Sequence, residues 1–219
     1  GIDIGVVESI PNISRHKILI EGQASHSGTT LMENRKDALV VASKLIIFIN
    51  KLAKEISQKD NRHFVATVGK IEVAPNYVTI IPSDVEFIID LRVVNETSRD
   101  LFLNQLNKEI IKLKKLENLK INFQDLMNSP YIEMNKTINE SLRKSANDLN
   151  FTFMMMDSGA GHDTAHLAKV SKASIIFIPC QNGLSHCPEE FTESINIKKG
   201  SEVILKSILD LKDNYNEII

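Results

Sequence analysis

Asp84-Val85-Glu86-Phe87-Ile88-Ile89-Asp90-Leu91-Arg92-Val93 is the stretch from which the fold is read. Val85, Phe87, Ile89 and Leu91 alternate with Asp84, Glu86, Asp90 and Arg92, and only Ile88 breaks the pattern. A two-residue period sends successive side chains to opposite faces, so this is a strand with one buried face and one charged face. Upstream, residues 64–73 read as a strand. Before them, residues 37–56 place Ala38, Val41, Leu45, Phe48, Ile49 and Leu52 at helical spacing. Downstream, residues 98–116 read as a second long helix with Ser98 as its cap, and residues 119–125 as a strand. Two more strands are expected at Ile4–Ile10 and residues 17–21, separated by the Pro11-Asn12 break.

The order β-α-β-β-α-β over residues 14–125 is the split βαβ, ferredoxin-like arrangement, a complete small domain. The remainder alternates differently, with helices at 135–149, 162–168 and 198–215 and apolar strands at 151–156 and 175–179. That pattern indicates a parallel α/β layer, but two or three strands are too few for a self-sufficient sheet. The fold expected is therefore α/β, with the ferredoxin-like domain at residues 13–127 inserted into a second domain. That second domain is formed by residues 1–12 and 128–219, and it reads as a fragment that lacks its N-terminal half.

Composition excludes several classes. A formal net charge of −2 gives no reason to expect nucleic acid or an anionic membrane as partner. Lys112-Leu113-Lys114-Lys115 is offset by neighbouring glutamates and reads as a solvated helix face. No apolar run reaches the ~20 residues needed to span a bilayer. Cys180 and Cys187, the two cysteines, do not suggest a disulfide framework, and a cytoplasmic, reducing location is expected.

Chemistry concentrates in three loops. Gly22-Gln23-Ala24-Ser25-His26-Ser27-Gly28-Thr29-Thr30 carries a histidine between glycines, suited either to donate to a developing oxyanion or to bond its own loop. Ser158-Gly159-Ala160-Gly161-His162-Asp163 packs small residues around His and Asp, as where backbone approaches a ligand. Gly183-Leu184-Ser185-His186-Cys187-Pro188-Glu189 delivers a histidine at the exit of an apolar strand, a candidate metal ligand. One histidine cannot hold a metal alone, because catalytic sites use about three protein ligands. Arg92 suits a carboxylate, although pairing with Asp90 is the favoured local reading. Of the other histidines, His63 has no assigned role and His16 is expected to be exposed. His166 follows His162 by four residues, a spacing read as ordinary packing for want of a zincin glutamate. Cys187 beside His186 is not a nucleophile–base pair, since neighbours on extended backbone point apart.

Taken together, Ser25-His26-Ser27-Gly28-Thr29-Thr30, Arg35-Lys36-Asp37-Ala38, Thr67-Val68-Gly69-Lys70, Pro75-Asn76, Asp90-Leu91-Arg92, Ser158 to Asp163 and Gly183-Leu184-Ser185-His186 form a specific combination. It resembles the N-carbamoyl-L-amino-acid hydrolase, allantoate amidohydrolase and β-ureidopropionase group, relatives of the di-metal aminopeptidases. The likeness covers essentially the whole chain. It implies an aminopeptidase-like catalytic domain with two divalent ions (Zn, Mn, Ni or Co), interrupted by a lid domain that forms a homodimer. It implies that His186 binds one ion and that His26 enters the partner's site to polarise the scissile carbonyl. Arg92 is implied to clamp the substrate carboxylate, and the backbone around Gly161, with His162, to line the pocket. The other metal ligands and the general base are expected upstream of Gly1.

Three departures bear on the substrate. Thr79 stands where the group usually has Asn, Ile13 where it has Gln, and Ser27 and Leu31 where it has Ala and Pro. The expected activity is hydrolysis of the carbamoyl C–N bond of an N-carbamoyl amino acid or ureido acid such as allantoate. The alternatives are an aminoacylase or di-metal peptidase of the same fold, or a non-catalytic dimerisation module.

Overall fold

The computed structural model describes residues 1–213, and the expected last residues of the terminal helix, 214 and 215, lie outside them. The chain divides into two compact units: residues 12–131 form one, and residues 1–11 with 132–219 form the other. Sequence alone draws these borders at 13–127.

The unit of residues 12–131 is a four-stranded antiparallel sheet with two helices. Its elements are β2 (Asn12–Glu21), α1 (Ala38–Lys59), β3 (Phe64–Ala74), β4 (Asp84–Val93), α2 (Glu96–Glu117) and β5 (Lys120–Ser129). The strand order is β3-β4-β2-β5. β4 lies between β2 and β3 and pairs antiparallel with both, so those two strands run parallel to each other across it. Alternation in β4 holds as expected: Val85, Phe87, Ile89, Leu91 and Val93 are buried. They meet Ile18, Ile20, Leu45, Ile49, Phe102 and Leu106 in one core, built from one sheet face and the apolar stripes of both helices. Ile88 falls in register with Lys17, on the open face beside Glu86 and Asp90.

Three expectations change. β2 begins at Asn12 rather than residue 17, because its polar residues find partners on β4: Arg15 Nε donates to Asp90 Oδ2 at 3.2 Å and Lys17 Nζ to Glu86 Oε2 at 3.2 Å. His16 is 4% exposed rather than solvated. It shares the core-facing parity of Ile18 and Ile20, stacks on Phe123 at 5.1 Å, and has its Nδ1 2.7 Å from Asp125 Oδ1. The cap of α2 is Asn95, whose side chain accepts from Thr97 N–H, while Ser98 lies inside the first turn and donates to Asp60. Asp37 caps α1, accepting from Leu39 and Val40 N–H.

The other unit is built on β1 (Ile4–Ile10), with β6 (Ile132–Glu133), α3 (Lys136–Asp148), β7 (Phe153–Asp157), α4 (Thr164–Leu167), β8 (Ile176–Phe177) and α5 (Ser194–Asp213). Only β7 runs parallel to β1; β6 and β8 are antiparallel to it, so the layer is mixed rather than parallel. β8 shrinks to two residues, and β6 is too short to have a sequence signal. Ile4 and Val6 pack with Leu142, Ala146 and Val203 of the two flanking helices. Asn139 of α3, itself buried, donates to Val7 O at 2.9 Å and so fastens that helix to β1.

Asp3 ties the start of β1 to α5. Lys199 Nζ donates to Asp3 Oδ1 at 2.5 Å, and Thr152 donates from its hydroxyl and its N–H to Oδ2 at 2.8 and 2.9 Å. The Lys199 bond first, then those from Thr152, hold the Asp3 carboxyl down to about 2. Its ionised form therefore favours the folded state above the ordinary carboxylate range, and that contribution is lost as pH falls toward 2. We expect Asp3→Asn to cost about 1 kcal/mol at pH 7 and almost nothing at pH 2, as for a partly exposed charge pair; urea unfolding at the two pH values measures the difference. We also expect Leu91→Ala to cost about 3 kcal/mol and Ile88→Ala under about 1 kcal/mol, because only the first opens a core cavity. Equal losses in urea midpoints would contradict the assignment of faces.

Candidate functional site

His26 is placed by backbone constraints that begin at Gly22. Gly22 N–H donates to Ser83 O at 2.6 Å and Gln23 N–H to Lys36 O at 2.9 Å. A Cβ on Gly22 would lie 2.2 Å from Lys36 O, so only glycine permits this crossing. The loop then forms a short antiparallel ladder with residues 79–81: His26 bridges Ile80, Ser27 N–H donates to Thr79 O at 2.9 Å, and Ile81 N–H donates to Ser25 O at 2.8 Å. Arg35 closes it from within, its Nη2 donating to Ser27 O at 2.6 Å and Thr30 O at 3.1 Å. Arg35 is visible in the sequence only as part of a motif; its bracing role depends on the folded loop.

Gly28 N–H donates to His26 Nδ1 at 3.0 Å. A neutral imidazole has one N–H and one bare nitrogen. Since Nδ1 accepts here, the proton sits on Nε2. The two readings of this histidine are thus one arrangement: bonding to its own loop is what makes it an outward donor. His26 and Thr79 are both exposed and adjacent.

Arg92 is elsewhere in the same unit. The His26 loop leaves the end of the sheet where Glu21 pairs with Asp84, while Arg92 pairs with Ile13 at the other end. Eight residues of strand separate those levels, roughly 27 Å. One copy of the unit therefore does not bring His26 and Arg92 together. Arg92 forms the local pair with Asp90, donating from Nε to Oδ1 at 2.7 Å. Burial pushes the Asp90 carboxyl up, but hydrogen bonds from Arg92 and Arg15 outweigh it and leave the carboxyl below the ordinary range. Ile13 and Val65 stand opposite Arg92 on the neighbouring strands, so the departure at position 13 puts an apolar side chain beside it.

Gly161, His162 and His186 belong to the other unit. At the end of β7, Ser9 donates to Asp157 Oδ1 at 2.6 Å and Ser158 N–H to Ser9 O at 2.9 Å. The His162 ring lies 5.6 Å from that of Phe177, and its Nε2 is 2.7 Å from Ser158 Oγ. Burial lowers the His162 pKa, opposed by the Asp163 charge, so the neutral form is favoured. His166 lies on the one-turn helix α4, and among the described residues it joins no group placed to hold a metal ion. Gly161, next to His162, is exposed.

His186 is exposed and held at φ 60°, the left-handed region. Its N–H donates to Glu190 Oε2 at 2.8 Å, which secures that backbone state. Cys180 and Cys187 are both free thiols. Among the described residues no group of three or more His, Cys, Asp or Glu side chains is placed to hold a metal ion. A metal centre needs about three protein ligands, and the described residues do not group that many around His186. Among the described residues no helix is long and apolar enough to cross a membrane.

The family model described as Peptidase family M20/M25/M40 matches residues 4–210. The chain is 33% identical over 205 residues to an N-carbamoyl-L-amino-acid amidohydrolase of Paenarthrobacter aurescens, covering 94% of this chain and 49% of that protein. It is 31% identical to a ureidoglycolate hydrolase of Arabidopsis thaliana, covering 96% of this chain and 44% of that protein. The crystal structure of AtUAH in complex with glyoxylate superposes with a TM-score of 0.85 at 31% identity, over 96% of this chain and 49% of that one. The chain thus spans about half the length of the curated relatives it matches.

A left-handed conformation at a residue with a Cβ costs about 1–2 kcal/mol. We expect His186→Gly to raise the stability of its unit by about 1 kcal/mol, because the Glu190 bond uses only the main-chain N–H. An unfolding midpoint unchanged or lowered by this substitution would show that the imidazole itself supports the loop.

Proposed function

The chain belongs to peptidase family M20/M25/M40, and from that premise we propose that it is part of a divalent-metal-dependent amidohydrolase. The bond cleaved is the carbamoyl C–N bond of an N-carbamoyl amino acid or ureido acid such as allantoate. The names of the relatives support that substrate class. The observation that carries the reading is His26: a neutral imidazole on a braced, exposed loop, with Nδ1 occupied by Gly28 N–H and Nε2–H directed outward. Such a donor is pre-set for the oxygen of a scissile carbonyl as charge develops on it, and it needs no reorganisation during the reaction.

Each residue has a stated part. His26 donates Nε2–H to the carbonyl oxygen. Arg92, anchored by Asp90, holds the substrate carboxylate. Thr79 stands beside His26 as a hydroxyl where an amide is usual, and Gly161 and His162 line the pocket. His186 supplies one ligand to a metal ion; two ions of the Zn, Mn, Ni or Co type would supply the water activation. The remaining donors come from outside the described residues. The roughly 27 Å of strand between the exit to the His26 loop and the level of Arg92 supports a homodimer in which residues 12–131 act as a ferredoxin-like lid and each His26 serves the partner's substrate. In that assembly one copy's Arg92 and the other's His26 act on the same molecule.

We expect His26→Ala to lower turnover of N-carbamoyl amino acids by the complete enzyme about 100-fold or more, as for loss of an oxyanion donor. Arg92→Lys is expected to raise KM more than it lowers kcat, since a bidentate carboxylate contact is made in ground and transition states alike. The 219-residue chain assayed alone with Mn, Zn, Ni or Co is expected to be inactive. Hydrolysis of N-acetyl amino acids or dipeptides in preference to N-carbamoyl ones would replace this reading by an aminoacylase or peptidase. An unchanged rate for His26→Ala would remove the role of that histidine.

A further inference from the structure

We propose that Ser158 is a positioning residue that holds the His162 imidazole in its Nε2–H form, leaving Nδ1 as a hydrogen-bond acceptor for an N–H group of the ligand. The ligand half of this inference rests on the hydrolytic reading above. The tautomer half stands on the geometry of the loop alone.

The argument is a count of protons around one oxygen. Ser158 is fully buried at the end of β7, and its Oγ touches three groups: Ala160 N at 3.0 Å, Ala160 O at 3.0 Å and His162 Nε2 at 2.7 Å. A hydroxyl has one hydrogen to give and two lone pairs to accept with. Ala160 N–H can only donate, and Ala160 O can only accept. If Ser158 donates to Ala160 O, its lone pairs take the N–H of Ala160 and Nε2–H of His162, and all three contacts are hydrogen bonds. If Ser158 instead donates to a bare Nε2, its oxygen faces the Ala160 carbonyl at 3.0 Å with no hydrogen between them. Two facing acceptors forfeit a bond at a buried oxygen, a penalty that decides between the tautomers. The first arrangement wins, and it puts the ring's only proton on Nε2.

His162 is held in place as well as in tautomer. Ser158 itself is pinned through its N–H to Ser9 O at 2.9 Å, and Ser9 is bonded to Asp157, so the anchor is part of the β1–β7 pairing rather than of the loop tip. The ring rests against Phe177 of β8 on its apolar side. Among the described residues, the one hydrogen bond of the ring is the one at Nε2. The half-buried ring is kept neutral by desolvation, so Nδ1 carries a lone pair and not a proton. A bare imidazole nitrogen pairs with N–H donors and repels carbonyl oxygens. The ureido group offers such donors on the amine side of its carbonyl.

The test reads the tautomer directly. In the ¹⁵N-labelled 219-residue chain above the His162 titration range, long-range ¹H–¹⁵N correlation is expected to show a pyrrole-type Nε2 and a pyridine-type Nδ1 for His162, assigned by loss of the signals in His162→Gln. Ser158→Ala is expected to move both nitrogens toward the averaged shifts of two exchanging tautomers, and Ser158→Thr, which keeps the hydroxyl, to restore the wild-type pair. A pyridine-type Nε2 in the wild type overturns the proposal without any variant, as does a Ser158→Ala spectrum identical to the wild type. In the complete enzyme, Ser158→Ala is expected to raise KM for N-carbamoylglycine about tenfold, the loss of one oriented hydrogen bond; an unchanged KM overturns the ligand half. Failure of the hydrolytic reading shows separately, as absence of turnover in the wild type while the tautomer is as expected.

Discussion

The ten-residue pairing of β4 with β2 is the constraint from which the larger unit follows. It aligns Asn12 with Val93 and Glu21 with Asp84 without a slip, so both strands keep a strict two-residue alternation across their whole length. One face then has to carry Val85, Phe87, Ile89 and Leu91 into the core, and the other has to carry Asp90 and Arg92 out of it. A one-residue shift would invert both faces at once. The same pairing separates the candidate site residues: it puts the exit to the His26 loop at one end and Arg92 at the other.

Hydrogen-bond accounting governs the chemistry more than charge does. His26 is made a donor by one backbone N–H, at Gly28, and the loop that holds that N–H is itself locked by the guanidinium of Arg35. Gly28 lets the ring come close, since a Cβ there would lie 3.2 Å from His26 Cε1 and push the imidazole back by a few tenths of an ångström. The tautomer of the neutral ring is thereby set by the loop itself. Arg92 is handled by charge instead, with Asp90 shared between it and Arg15 so that the guanidinium is oriented against the sheet.

What could be read without coordinates was whatever leaves a periodic trace. Strand Asp84–Val93, strand Ile4–Ile10, the amphipathic helix over residues 37–56 and the β-α-β-β-α-β order all do so. Elements that depend on partners distant in the chain left none. β2 reaches back to Asn12 because Asp90 and Glu86 are opposite, and β6 and β8 are strands only because β1 offers an edge. His16 reads as exposed because nothing in the sequence shows that Phe123 stacks on its ring and Asp125 meets its Nδ1 from the neighbouring strand. Ser98 reads as a cap because Asn95 and Ser98 both precede the apolar run, and only backbone geometry separates them.

Sequence by itself determined the secondary-structure order, the faces of the central strand and the three loops rich in small residues around histidine, because these are local properties of spacing and residue type. Tertiary structure alone decided that His26 and Arg92 lie at opposite ends of one sheet and that the described residues bring no metal-binding group around His186, and it set which nitrogen of His26 and of His162 is bonded. The first two are properties of distance between atoms far apart in the chain, which residue order sets only through the register of the strands that connect them; the last depends on loop geometry that spacing alone does not reveal.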